Sequence, residues 1–128
     1  MALPLNVFKT ITKVAPTSPV GIYTAPVGYS GVVLLAQAAN IDQNPHTISL
    51  SHVRTTSGIA VTTEIVKSMA IEGHDSADLT AGKLVLESGD SLKLSASNSS
   101  HIKFIGSILE TLNWYKKWLS SLVVEKPI

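Results

Sequence analysis

The chain carries four imidazoles, His46, His52, His74 and His101, and no cysteine, so a transition-metal centre would have to be built from nitrogen and oxygen ligands. His46 and His52 share one face of an extended segment, but six residues at ~3.3 Å each put them about 20 Å apart, too far for one ion. Neither an HxH nor an HExxH spacing occurs. His101 heads a different segment and meets another histidine only through tertiary packing. The four are therefore read as surface histidines, with no metal and no cofactor expected. The densest ionisable cluster, Glu72, His74, Asp75 and Asp78, has the groups for acid–base work or calcium, but its spacing fits no EF-hand loop. It reads as a solvated connector in which Asp75 or Ser76 caps one helical turn. Serines are frequent, yet none sits in a GxSxG elbow. The glycines of GIYTAPVG and GYSG match neither GxGxxG nor GxxxxGK[ST], so they read as turns. No catalytic residue is assigned, and an enzyme is not expected.

The elements that hold these residues are strands. The organising stretch is Pro16 to Asn40, with Pro16, Pro19 and Pro26 confined to strand ends and Gly21, Gly28 and Gly31 supplying turns or close approach. Val32 to Ala36, VVLLA, lacks alternation and predicts a central strand covered on both faces. Leu5 to Val14 predicts an edge strand or an arm reaching a neighbour, with Lys9 and Lys13 on one face. His46 to Arg54 and Ile59 to Met69 predict a hairpin turned at Thr55 to Gly58. Lys83 to Glu87, Ser91 to Ser97 and His101 to Thr111 follow, joined by Ser88-Gly89-Asp90 and Asn98-Ser99-Ser100, which suit tight hairpins.

The expected fold is all-β, an antiparallel β-sandwich that is jelly-roll-like, with a short C-terminal helix. Residues 1–14 are the arm or edge strand, 15–111 the sandwich, and 112–128 the helix and tail. In that tail Leu112, Tyr115, Leu119 and Leu122 recur at helical spacing, with Trp114 and Trp118 four apart.

Charged residues make up 15% of the 128-residue chain, hydrophobic ones 45%, and net charge is +1, which leaves little to hold copies apart and favours an assembly subunit. With Arg54 the single arginine, a nucleic-acid partner is not expected. No apolar run reaches the ~18 residues of a membrane span, and MALPLNVFKT does not read as a signal peptide. Three of seven aromatics lie within five positions, at Trp114, Tyr115 and Trp118. They suit core cover, a protein interface or a sugar-stacking platform. The candidate interface is Trp114, Tyr115, Trp118 and Leu119, with Val7 and Lys9 as a second contact.

The run GIYTAPVGYSGVVLLAQAAN, the strand HTISLSHV and LTAGKLVLESGDSLKLSASNSSHIKFIGSILETL together resemble a group of small virion structural proteins of tailed bacteriophages, especially marine cyanophages. The shared features are a TAPxGxxGxV turn and strand, then an LxxGDSLxxSAS hairpin followed by a strand ending in ILE. The resemblance spans roughly Val14 to Leu112. It implies a β-sandwich subunit, assembled in the host cytoplasm into the virion, that self-associates and docks on other virion proteins of head, neck or tail. It brings no catalytic residues. A receptor- or glycan-binding module of a tail fibre or baseplate is the alternative.

Overall fold

The computed structural model describes residues 6–113, which form nine strands and no helix. The strands are β1 (Asn6–Val14), β2 (Val20–Thr24), β3 (Tyr29–Asn40), β4 (His46–Thr56), β5 (Ile59–Ile71), β6 (Ser76–Asp78), β7 (Leu84–Leu86), β8 (Ser91–Ala96) and β9 (Ile102–Leu112). One antiparallel sheet runs β1-β9-β3-β6, with β7 pairing β3 beside β6. The other runs β2-β8-β4-β5. Val33, Ala36, Ala38, Ile102, Phe104 and Ile108 of the first sheet share one buried core with Ile48, Leu50, Leu92, Leu94 and Ala96 of the second. The molecule is thus an all-β sandwich. The proposed C-terminal helix falls almost wholly outside the described residues; its first residue, Leu112, is the last of β9.

Two alanine-proline pairs carry the chain between sheets. Ala15 donates its N–H to Ile102 O of the first sheet at 2.9 Å, and Pro16 O accepts from Ala96 N of the second at 2.8 Å. Ala25 repeats the device at the far end of β2, donating to Asp90 O and accepting from Gly89 N. Both alanines are fully buried, so a larger side chain has no room, and each proline follows where no ladder donor is needed. Among the described residues only β4 and β5 form a hairpin with its two strands in one sheet, closed by Ser57 and Gly58, both at positive φ as a two-residue turn demands.

Three expectations are corrected. Ser88-Gly89-Asp90 and Asn98-Ser99-Ser100 do not close hairpins. The first is a turn with Gly89 at φ 87 and Asp90 N bonded to Glu87 O, but the strands on either side of each connector lie in different sheets. Val32 to Ala36 is central, flanked by β9 and β7, yet it is not covered on both faces. A bulge between Val33 and Leu35 leaves Leu34 and Leu35 exposed. The helical turn expected between Ile71 and Thr80 is strand β6, because Ser76–Asp78 pairs with Gln37–Ala39 and Asp75 O takes the N–H of Asn40.

Near the end of the sandwich Tyr23 spans the two sheets, its hydroxyl donating to buried Glu110 Oε2 at 2.6 Å, where Lys9 Nζ also binds at 3.3 Å. Burial first, then the Glu110 hydrogen bond and charge, raise the Tyr23 pKa well above that of a free phenol. The ring fits because Gly31 lies beside it; a Cβ there would come within 2.9 Å of the hydroxyl. Tyr23→Phe leaves a buried carboxylate with one fewer donor. It should cost about 1–3 kcal/mol in urea denaturation with the m-value unchanged.

Candidate assembly surface

On the outer face of the first sheet the register builds a row that sequence reading missed. Phe8 stands opposite Leu109, Leu109 opposite Val32, and Val32 opposite Val85, so one apolar side chain from each of four strands lines up across the sheet. The row spans about 14 Å at ~4.8 Å per strand. Its neighbours in sequence, Val33, Leu86 and Ile108, point the other way into the core, which fixes the row on the outside. Phe8 is 74% exposed and Val85 55%. Leu34 and Leu35 extend the apolar surface at the bulge, and Ile105 continues it further along β9.

The residues expected as an N-terminal contact, Val7 and Lys9, both lie on edge strand β1. Val7 is half-buried and Lys9 is committed to Glu110, while the residue between them faces out. That phenylalanine gave no signal in sequence, because nothing in NVFKTITKV tells which alternate set faces the core. Trp114, Tyr115, Trp118 and Leu119 lie outside the described residues. The first and last described residues, Asn6 and Asn113, lie at one end of β1 and β9, where Asn6 pairs with Thr111 and Asn113 N donates to Gly28 O at 2.7 Å; the Phe8–Leu109 pair is two residues away.

The ionisable groups fall into two further places. Asp90, 3% exposed, takes Arg54 Nε on Oδ1 at 2.9 Å, and Arg54 Nη2 at 2.7 Å, His52 Nε2 at 3.0 Å and Glu87 N at 2.9 Å on Oδ2. The Arg54 guanidinium holds the Asp90 carboxyl well below the usual carboxylate range, and Asp90 raises Arg54 in return. This pair fastens the β7–β8 turn to β4, and it neutralises the one arginine internally. The second place is the connector from β3 to β4, where Asp42 lies against His46 and His101. Sequence separated His46 from His52 correctly, since His52 serves Asp90, but it gave no hint that His101 stacks on His46. Glu72, His74 and Asp75 occupy an exposed turn, while Asp78 sits on β6 opposite Gln37. No helix among the described residues is long and apolar enough to cross a membrane.

No family model matches the sequence, and no curated protein matches it. Among solved structures, a chain of the IBDV viral particle is similar over 85% of this chain with a TM-score of 0.51 and 9% identity. This chain spans 31% of that chain's length, and the likeness is one of fold. A chain from the disulfide-linked pili of Bacillus endospore appendages aligns over 84% of this chain and 87% of its own at a TM-score of 0.43 and 15% identity. A chain of the capsid of Helicobacter pylori bacteriophage KHP30 aligns over 86% and 90% at a TM-score of 0.49 and 11% identity.

Proposed function

We propose that this chain is a non-enzymatic virion structural protein of a tailed bacteriophage, of the kind marine cyanophages carry, which self-associates and docks on the head as decoration or on the neck or tail. The observation that carries the reading is the strand order. With β6 and β7 taken as one interrupted strand, the sheets run β1-β9-β3-β6/β7 and β2-β8-β4-β5, and the chain changes sheet at every connection except β4 to β5 and β6 to β7. That is the winding of a jelly roll, a double-sheet architecture used by viral capsid domains among others. The fold likeness to an IBDV viral-particle chain supports the same reading.

The mechanism is burial. The apolar row from Phe8 to Val85 is built of uncharged side chains and lies two residues from the Asn6–Thr111 pair that ends the described part of β1. Its occupant in this reading is a second copy of the chain, whose net charge of +1 imposes little repulsion. Trp114, Tyr115, Trp118 and Leu119 contribute to the contact from the adjoining segment. A stable contact of about 800 Å² per partner is within reach of such a face, and repetition on a particle multiplies it. The partners are the chain itself and other virion proteins, with neither nucleic acid nor membrane, in a virion assembled in the host cytoplasm.

Mass photometry of the purified chain should show an oligomer, and Phe8→Asp combined with Val85→Asp should shift it to monomer while the circular dichroism spectrum stays that of the parent. An unchanged oligomer would move the contact to another surface. Antibody labelling of purified particles tests the location, and particles without the chain would end the virion reading.

A further inference from the structure

We propose that Asp42, His46 and His101 form a binding site for one divalent transition-metal ion of the zinc class, clipping the β3–β4 connector to the base of β9. Asp42 Oδ2 lies 2.8 Å from His46 Nε2 and 3.7 Å from His101 Nδ1, and one ligand atom from each residue lies within 4.8 Å of the others. A tetrahedral zinc ion with bonds of about 2.0–2.1 Å sets its ligand atoms roughly 3.3 Å apart, between those two distances. The donor set, two imidazoles and a carboxylate, suits zinc-class ions; magnesium and calcium prefer oxygen alone.

Two observations point to a ligand independently of the clustering. His101 Nδ1 is buried and has no hydrogen-bond partner, since 3.7 Å to the carboxylate is too long for one. The carboxylate is also aimed. Its Oδ1 is tied to the Gln43 N–H at 2.8 Å, which turns Oδ2 towards both rings. This is the outer support that orients a metal-ligating group. Two backbone bonds and one side chain frame the site: Ile41 N donates to His101 O at 2.9 Å, His74 N to Asp42 O at 3.0 Å, and Asp42 N to the side-chain oxygen of buried Asn40 at 3.0 Å.

The rings of His46 and His101 are stacked, with centroids 5.3 Å apart and planes 10° from parallel. An ion must lie near the plane of each ring it binds, so loading requires one imidazole to turn. His101 is the freer, 36% exposed against 15% for His46. Three protein ligands leave the fourth position to water. Residues 42 and 46 lead into the second sheet and residue 101 into the first, so the ion closes a loop that spans both sheets.

The test uses the full chain after chelation and dialysis, at pH 7.5, with Zn²⁺, Co²⁺ and Mg²⁺ alone as probes. Zn²⁺ at roughly 100-fold above its Kd should raise the melting temperature by about 5 °C or more. Co²⁺ should give the visible absorption of a four-coordinate centre, and Mg²⁺ should do neither. His101→Gln and Asp42→Asn, checked for a parental circular dichroism spectrum, should each lose the Zn²⁺ shift and the Co²⁺ spectrum. No calorimetric binding and no shift with about 1 mM Zn²⁺ would overturn the site, and the cluster would then be only the 2.8 Å His46–Asp42 hydrogen bond with His101 stacked beside it. Equal binding by parent and His101→Gln would overturn it as well. If His101→Gln fails to fold, the Asp42→Asn comparison decides.

Discussion

Asp90→Ala should lower the melting temperature by roughly 10 °C, a loss of about 2–4 kcal/mol. Asp90 receives four hydrogen bonds while almost wholly buried, so its removal orphans the Glu87 N–H of the β7–β8 turn and leaves a cavity where the turn meets β4. The lower part of the range for breaking a buried pair applies because Arg54 is 43% exposed and can turn to water. Asp90→Asn keeps the shape and loses the charge, and should fall between parent and alanine. The acid limb of the stability profile carries the same signature. Asp90 has its folded-state pKa depressed, chiefly by the Arg54 hydrogen bonds. Its contribution is therefore complete above the unfolded value of about 3.9 and is lost as pH falls below it. Asp42, lowered mainly by His46, adds in the same direction. Thermal unfolding by circular dichroism from pH 7 to pH 2 should show a parent that weakens steeply below about pH 4 and an Asp90→Asn variant with a shallower fall. Identical slopes would show that Asp90 is not the group responsible.

The same residue shows what a sequence can and cannot disclose. Asp90 is legible as a turn residue, because SGD is turn chemistry and Gly89 does adopt the positive φ that such a turn needs. Its service to Arg54 is not legible, since 36 residues separate them and only strand pairing brings β4 beside β8. Local signals decide local geometry, which is why Ser57-Gly58 was readable as a hairpin. They do not say whether the next strand stays in the sheet, so the connectors around residues 89 and 99 carry hairpin chemistry while their flanking strands lie in different sheets. The all-β class and the centrality of β3 follow from composition and periodicity, whereas the first strand reads equally as an edge strand or an arm and only the pairing with β9 places β1 at the sheet edge. The bulge at Leu34 does not, because one inserted residue shifts which apolar side chains are buried without changing the composition of the run. The apolar row and the His46–His101 stack are products of register and topology together, two levels above anything a spacing rule reads.

Gly73→Ala should be the most damaging of the glycine substitutions, and Gly82→Ala should be harmless. A Cβ at position 73 would collide with the backbone carbonyl of Gln43. Gln43 has little room to retreat. Its N–H is bonded to Asp42 Oδ1, and the adjoining Asn44 O is held by Asn40 Nδ2 at 2.8 Å, the same amide that reaches Ile71 O at 3.0 Å. Backbone must move against backbone, which places the cost at about 3 kcal/mol or more, the upper end for overpacking. Close approach is the reason for this glycine, since the left-handed residue of the turn is His74, at φ 59. At Gly82 no heavy atom lies within 4 Å of the added carbon and φ is ordinary, so alanine should be neutral or stabilise by about 0.4–1 kcal/mol through the unfolded chain. Urea denaturation of the two variants makes the comparison, and equal effects would show that the β5–β6 turn is not packed against the β3–β4 connector. Such packing also predicts a second consequence. Because His74 N holds Asp42 O in place, a Gly73→Ala protein that still folds should bind Zn²⁺ more weakly than the parent, although residue 73 offers no ligand.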